Sequence, residues 1–293
     1  MGSLSARSQI LALSHAVHNS EHLCVLSESA QVIRELLHMR RACLCTLLLL
    51  VNLSALSAEE PLGDVVYGEA VPIGVAPERA LSHVSFEMER CGQIFRSTWR
   101  NADDALLAAD ELEYANGTLS RYRFARPNVD EWAHVTRDGD ALRIEYSENG
   151  RLRTGQLSAS RAIVVGPMIA LIVERRLREL TAGERLQVRY AVPERFASYD
   201  FNVAKAASPV AGLRDVEVAA DSWLVRQFAR PVSLFFSDDG HFAGMRGRAL
   251  PASGAPGRPQ PLELDARVLK RTARKCSTVP RSDAWFRTAT RAF

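Results

Sequence analysis

The chain has 293 residues, 37 of them basic and 34 acidic, which gives a formal net charge of +3 at neutral pH. This near balance offers no argument for nucleic acid as a partner, because a nucleic-acid-binding domain normally has a clear basic excess. The roughly 235 residues that follow position 58 are enough for one large domain or two small ones.

Residues 39–58 have the pattern of a secretory signal peptide. Arg40 and Arg41 precede an apolar run that ends near Val51, and small residues follow up to Ala58. The run of about a dozen residues is too short to cross a hydrocarbon core of roughly 30 Å, so we do not predict a permanent membrane anchor. The sequence therefore predicts export, and we expect the protein in the periplasm.

Residues 1–38 precede this signal and leave two interpretations open. They are an extension of the gene model, so that translation starts at Met39, or they are translated, as a disordered segment, a long n-region of the signal, or an intracellular domain followed by a buried apolar helix. Lysine occurs only at positions 205, 270 and 275, and this strong preference for arginine is typical of a GC-rich bacterial genome.

Residues 59–110 are predicted to be a lead-in of mixed secondary structure before the main β domain. The first part, up to about position 80, looks irregular, and the stretch from Pro77 to Ala109 allows helix. Val84–Met88 nevertheless alternates like a strand, so the choice between helix and strand stays open here.

Residues 111–250 are predicted to form an antiparallel β domain. Alternating segments are separated by Asn116-Gly117, Asp138-Gly139 and Asn149-Gly150, and such pairs tolerate the positive φ angles of tight hairpin turns. A single amphipathic helix is expected at 167–180, with proline at its start and Gly183 after its end.

These elements together predict a mainly β fold. We expect a curved antiparallel sheet or half-barrel of about eight strands, packed on the one amphipathic helix. The concave apolar face of such a sheet is either a filled core or a ligand cavity, and the sequence leaves both open.

Residues 251–293 are expected to be a linker followed by a disordered basic tail. The stretch from Arg267 to the end has eight basic residues and one acid, so it is either a solvated end or a peripheral contact with lipid headgroups. After signal removal only Cys91 and Cys276 remain, and an oxidising periplasm would allow them to pair.

The sequence shows no strong catalytic or metal-binding motif. It has no Gly-x-Ser-x-Gly elbow, phosphate-binding glycine loop or HExxH pair. Asp238, Asp239 and His241 are close enough to ligate a metal, but a hairpin turn demands the same residues, and we favour the turn. We predict no catalytic residue, no metal site and no cofactor.

Four residues are candidates for ligand binding. Trp223 and Phe235 would line an apolar pocket, with Arg226 holding an anionic headgroup. Leu171 would face the same cavity from the helix. The alternative is that the aromatic residues simply belong to the core.

Four segments of the chain resemble uncharacterised bacterial envelope proteins of unknown function. These segments are Glu113–Gly117, Leu180–Leu186, Asp221–Arg226 and Pro231–Phe236. More distantly, the chain is similar to the half-barrel carriers that move lipoproteins or lipids across the periplasm. The resemblance covers about half the chain and implies no catalytic residues.

Three functions are therefore carried forward. The first is a non-enzymatic binder or carrier of an apolar or amphipathic ligand, the second a structural or assembly factor of the envelope that acts through protein contacts, and the third an envelope hydrolase. The expected partners are a lipid or amphipathic ligand, or an envelope protein.

Overall fold

The computed structural model describes residues 62–73, 83–159, 162–254 and 256–276. The predicted signal peptide and the segment before it lie outside the described residues. The described part is mainly β, and its strands are β1 (Leu62–Pro72), β2 (Val84–Cys91), β3 (Ile94–Arg100), β4 (Leu106–Ala115), β5 (Thr118–Arg126), β6 (Glu131–Asp138), β7 (Ala141–Glu148), β8 (Arg151–Ser158), β9 (Ile163–Val164), β10 (Arg185–Val192), β11 (Ala197–Ala206), β12 (Arg214–Ala220), β13 (Val232–Phe236), β14 (Phe242–Ser253) and β15 (Gln260–Lys275). The helices are α1 (Met168–Thr181) and α2 (Trp223–Arg226), and short 3₁₀ turns occur at Pro127–Val129 and Pro193–Arg195.

All fifteen strands belong to one sheet. Its order is β8-β7-β6-β5-β4-β3-β2-β1-β15-β14-β13-β12-β11-β10-β9. The sheet therefore has a first half, β1–β8, and a second half, β9–β15, which meet where β1 pairs antiparallel with β15. Among the described strands, only the β9–β10 pair is parallel, and the edge strands β8 and β9 do not pair with each other.

The predicted fold class is wrong. The sheet has fifteen strands rather than about eight, and it is one large open sheet rather than a small half-barrel. Strands β1–β3 lie in the segment expected as a mixed lead-in, and β15 lies in the expected linker and tail. The physical reason is that β1 pairs with β15 across almost the whole chain, with Leu62 opposite Lys275, and no local turn signal marks such a pairing.

One face of the sheet, called here the inner face, carries the main core. It includes alternating residues from both halves of the sheet, such as Leu112 and Ile144 in the first half and Val203 and Leu234 in the second. A second, smaller cluster lies around Phe86 and is joined to the first through partly buried side chains. Burial of this apolar surface is the main stabilising contribution to the fold.

Helix α1 packs on the inner face. Its buried side chains recur at helical spacing: Met168, Leu171, Val173, Leu177 and Leu180. Polar contacts also hold the helix against the sheet. Arg90 on β2 forms a 3.2 Å ion pair with Glu174 of α1. The Arg175 guanidinium also stacks over Tyr114 at 5.2 Å. No helix among the described residues is long and apolar enough to cross a membrane.

A disulfide joins the end of β2 to the residue that follows β15. Cys91 at the end of β2 is bonded to Cys276, just after β15, over a separation of 185 residues. The bridge packs against Gly63 on β1, where a Cβ atom would lie 2.9 Å from the Cys91 sulfur. The pairing that the sequence left open is thus present.

Candidate functional site

A carboxylic acid lies inside the molecule at the border of the two core clusters. Asp110 on β4 stands opposite Ser97 on β3, and the Ser97 hydroxyl donates a 2.5 Å hydrogen bond to Asp110 Oδ1. The Trp99 indole N–H donates to the same serine oxygen at 3.1 Å. The Tyr122 hydroxyl donates to Asp110 Oδ2 at 3.5 Å. Burial raises the pKa of Asp110 to about 7, against the opposing effect of these hydrogen bonds.

A buried ion pair lies further along the same face. Arg126 and Glu131 flank the 3₁₀ turn between β5 and β6 and stand opposite each other in the ladder. Arg126 Nη1 donates to Glu131 Oε2 at 2.7 Å, and the Tyr146 hydroxyl donates to Glu131 Oε1 at 2.8 Å. Arg126 Nε also donates to the Leu250 carbonyl at 2.6 Å, which ties the first half of the sheet to β14.

Two tyrosines bring further hydroxyl groups to this region. The Tyr190 hydroxyl on β10 is hydrogen-bonded to the Gly166 backbone. Gly166 has a φ of 51°, and a Cβ there would lie 2.5 Å from the Tyr122 ring. Burial raises the pKa of Tyr190, and the negative charge of Glu194 raises it further. Burial likewise raises the pKa of Tyr122, helped by the charge of Asp110, so both hydroxyls remain protonated.

Apolar side chains with accessible surface adjoin this polar group. They pack against the main core but are only half-buried, in contrast to the fully buried residues beside them. The members from the second half of the sheet are Leu186, Tyr190, Phe196, Phe201, Phe242, Met245 and Leu250. The inner face thus combines an apolar region with accessible surface and a set of buried hydroxyl, carboxyl and guanidinium groups.

The four ligand-binding candidates from the sequence are not brought to one place. Leu171 is buried in α1 within the main core. Phe235 is buried on the opposite face of β13, since its neighbours Leu234 and Phe236 join the main core, and the Arg267 guanidinium covers its ring at 4.4 Å. Trp223 and Arg226 lie together in α2 at the surface.

Two histidines, His134 and His241, lie near carboxylates at the surface. His134 Nδ1 lies 3.7 Å from Glu145, and His241 Nδ1 lies 3.6 Å from Glu174. The segment Ser237–His241 forms the hairpin turn that the sequence favoured. No cluster of three or more His, Cys, Asp or Glu in the described ranges is arranged to hold a metal ion.

Sequence reasoning missed the buried polar residues, although a signal for them exists. Asp110 lies two residues from Ala108 and from Leu112, and therefore on the same, inward face of its strand. Glu131 likewise shares the inward face of its strand with Ala133 and Val135. A charged residue in the apolar phase of a strand is rare unless it is paired. That violation of the alternation points to a buried polar network.

Comparison with known proteins adds little. No protein family model matches the sequence, and no curated protein matches it. Among solved structures, the chain is similar to a β-barrel-like protein of a domain of unknown function, DUF1849, from Brucella abortus. The TM-score is 0.42 and the identity 8%, with 73% of this chain and 99% of that chain covered.

Proposed function

We propose that the protein is an exported, non-enzymatic binding protein that takes an amphipathic ligand on the inner face of its sheet. The observation that carries this proposal is the adjacency of half-buried apolar side chains on β10, β11 and β14 to a buried polar group. A ligand chain against Phe201 and Met245 would contribute about 0.8 kcal/mol for each CH₂ group that it buries.

The polar end of the ligand would meet hydroxyl and charged groups. Tyr190 brings a half-buried hydroxyl group whose raised pKa keeps it protonated. Arg248 lies near Glu194, with its nearest nitrogen 3.8 Å from the carboxylate, and its side chain is half-exposed. A donor set of this kind suits a carboxylate or phosphate headgroup.

Export is supported by the disulfide and the signal-like segment. Disulfides form and persist in oxidising compartments and are rare in the bacterial cytosol. We expect the full chain to fractionate with the periplasm and a chain without residues 39–58 to stay in the cytoplasm. Alkylation of denatured, unreduced protein should find no free thiol at Cys91 or Cys276 in the exported form. A full chain that stays in the cytoplasm with both thiols free would contradict export.

Ligand binding is tested by native mass spectrometry of protein isolated from cells, with organic extraction of the same sample. We expect an apolar or amphipathic adduct in the wild type. The adduct should be reduced in Phe201→Ser, which removes an inward aromatic ring, and retained in Asp200→Ser, which changes the outward neighbour on the same strand. A clean apo mass for the wild type would remove the reason for this proposal.

The assembly-factor alternative has one observation of its own. Edge strand β8 is largely exposed along its length, and an exposed edge can pair with an extended segment of a partner protein. A photo-crosslinker at Thr154 tests this alternative. Capture of one discrete envelope protein, together with a clean apo mass, would favour it over ligand binding.

A further inference from the structure

The connection between β12 and β13 presents three large apolar side chains to solvent. Trp223 is 71% exposed, Leu224 is 55% exposed and Phe228 is 82% exposed. All three lie within six residues, at and just after helix α2. Single exposed apolar residues are ordinary on protein surfaces, but such a concentration of large ones usually marks an interaction site.

This connection is held in place by hydrogen bonds at its base. Arg226 Nε donates to the Ala220 carbonyl at 2.7 Å, and Arg226 Nη2 donates to the Asp221 carbonyl at 2.9 Å. The Asp221 amide in turn donates to the Asp200 carbonyl on β11 at 2.8 Å. The helical turn is therefore anchored to β11 and β12 while its apolar side chains project outward.

The connection carries a small net positive charge. Its residues 221–231 contain Asp221, Arg226 and Arg230, and Arg230 Nη1 donates to Glu263 Oε2 on β15 at 3.1 Å. Tryptophan partitions to the headgroup level of a bilayer, where its ring is buried and its N–H stays hydrated. Arginine next to inserted apolar groups meets anionic headgroups.

We propose that residues 222–231 dock the protein on an anionic lipid bilayer, with Trp223, Leu224 and Phe228 inserted at the interface. An apolar pocket of a partner protein would also take aromatic side chains, but an anionic bilayer accounts for both the projecting apolar set and the net positive charge of the connection beside it. The docking does not depend on the inner face, so either proposal can fail without the other.

The test is co-sedimentation of the protein, as isolated from cells, with vesicles made of equal parts phosphatidylethanolamine and phosphatidylglycerol. The double substitution Trp223→Ser and Phe228→Ser should weaken binding at least about tenfold. The control is Leu269→Ser, which removes another exposed apolar side chain, 64% accessible, from β15, and it should bind like the wild type. Replacing phosphatidylglycerol with phosphatidylcholine should also weaken binding.

Fluorescence provides a second measurement. Brominated lipid should quench the wild type more than Trp223→Phe, which keeps an apolar side chain and should still sediment with vesicles. The proposal is overturned if the wild type does not bind these vesicles, or if the double variant binds as tightly as the wild type. Crosslinking of position 223 to a protein, with no vesicle binding, overturns it in favour of a protein partner.

Discussion

At the scale of single residues, Asp110 is the most informative group. It is 5% exposed and lies on the same face of β4 as the buried Ala108 and Leu112, so its ionised form is disfavoured. The hydrogen bonds from the Ser97 and Tyr122 hydroxyl groups offset only part of this effect, since the pKa of Asp110 is raised from 3.8 to about 7. The folded state therefore holds a proton on Asp110 that the unfolded chain releases near pH 4.

This difference makes stability depend on pH in a defined direction. Between about pH 4 and pH 7 the folded state binds more protons than the unfolded state. The contribution of protonated Asp110 to the free energy of unfolding is therefore fully present below pH 4. It is lost as the pH rises to 7, by at most about 4 kcal/mol. We expect Asp110→Asn, which keeps a hydrogen-bonding amide beside Ser97, to remove this loss. Urea unfolding of both proteins at several pH values across this range measures the effect. If the free energy of unfolding changes with pH equally in the wild type and in Asp110→Asn, the prediction is wrong.

Arg126 and Glu131 illustrate a second property of single buried groups. A buried ion pair adds little net stability, but removal of one partner leaves the other charge uncompensated. We expect Arg126→Met to lower the free energy of unfolding by about 3–5 kcal/mol, since Glu131 would keep only its bond from Tyr146. Denaturant titration measures the loss.

The double variant Arg126→Met with Glu131→Gln is the control for this prediction. It removes the stranded charge and should recover a substantial part of the loss. If the single and double variants are equally unstable, the cost comes from lost packing of the Arg126 side chain rather than from an unpaired charge.

At the scale of elements, the connection between β10 and β11 contacts strands β7 and β8 and so adds a second contact between the two halves of the sheet. Phe196 has a φ of 49°, a conformation uncommon for a bulky residue. Its ring packs edge-on against Tyr146, with centroids 6.4 Å apart. The absence of a side chain at Gly155 makes room for this ring.

The same contact gives a prediction about β8. A Cβ atom at position 155 would overlap the Phe196 ring, so we expect Gly155→Ala to destabilise the protein by about 1–3 kcal/mol through overpacking. The same substitution in a Phe196→Ala background should cost much less. Thermal unfolding of the four proteins measures this coupling, and additive losses would show that the ring is not the cause.

The elements also show which parts of a sheet a sequence can predict. The hairpins β4–β5 and β7–β8 turn at Asn116-Gly117 and Asn149-Gly150, and all four of these residues have positive φ. Strand β15 had no comparable signal, because its run of basic residues obscures the alternation. Two of its arginines form ion pairs with residues of other strands, Arg271 with Asp64 on the adjacent β1 and Arg274 with Glu87 on β2, one strand further. A hairpin turn can be predicted because its conformation depends on residues next to each other in the sequence. These ion pairs, in contrast, join residues about 200 positions apart.

At the scale of the whole molecule, the pairing of β1 with β15 decides the fold. It places the beginning and the end of the described chain at the centre of the sheet, and it joins the two halves. Contacts of such long range carry a large loop-closure cost before any burial offsets it. The site could not be predicted for a related reason, since Asp110, Glu131 and Tyr190 come together only when both halves are in place.

The Cys91–Cys276 bridge lies beside this central pairing and restricts the unfolded chain. A disulfide that closes a loop of 185 residues lowers the entropy of the unfolded state, by an amount that corresponds to about 5 kcal/mol at most in the chain-entropy model. We expect the double variant Cys91→Ser and Cys276→Ser to lose about 2–4 kcal/mol. Guanidinium titration with and without dithiothreitol measures the loss. Because the variant has no bridge to reduce, the reductant should lower the stability of the wild type to that of the variant and leave the variant unchanged. A wild type that unfolds at the same denaturant concentration with and without reductant would show that the bridge does not stabilise the β1–β15 pairing.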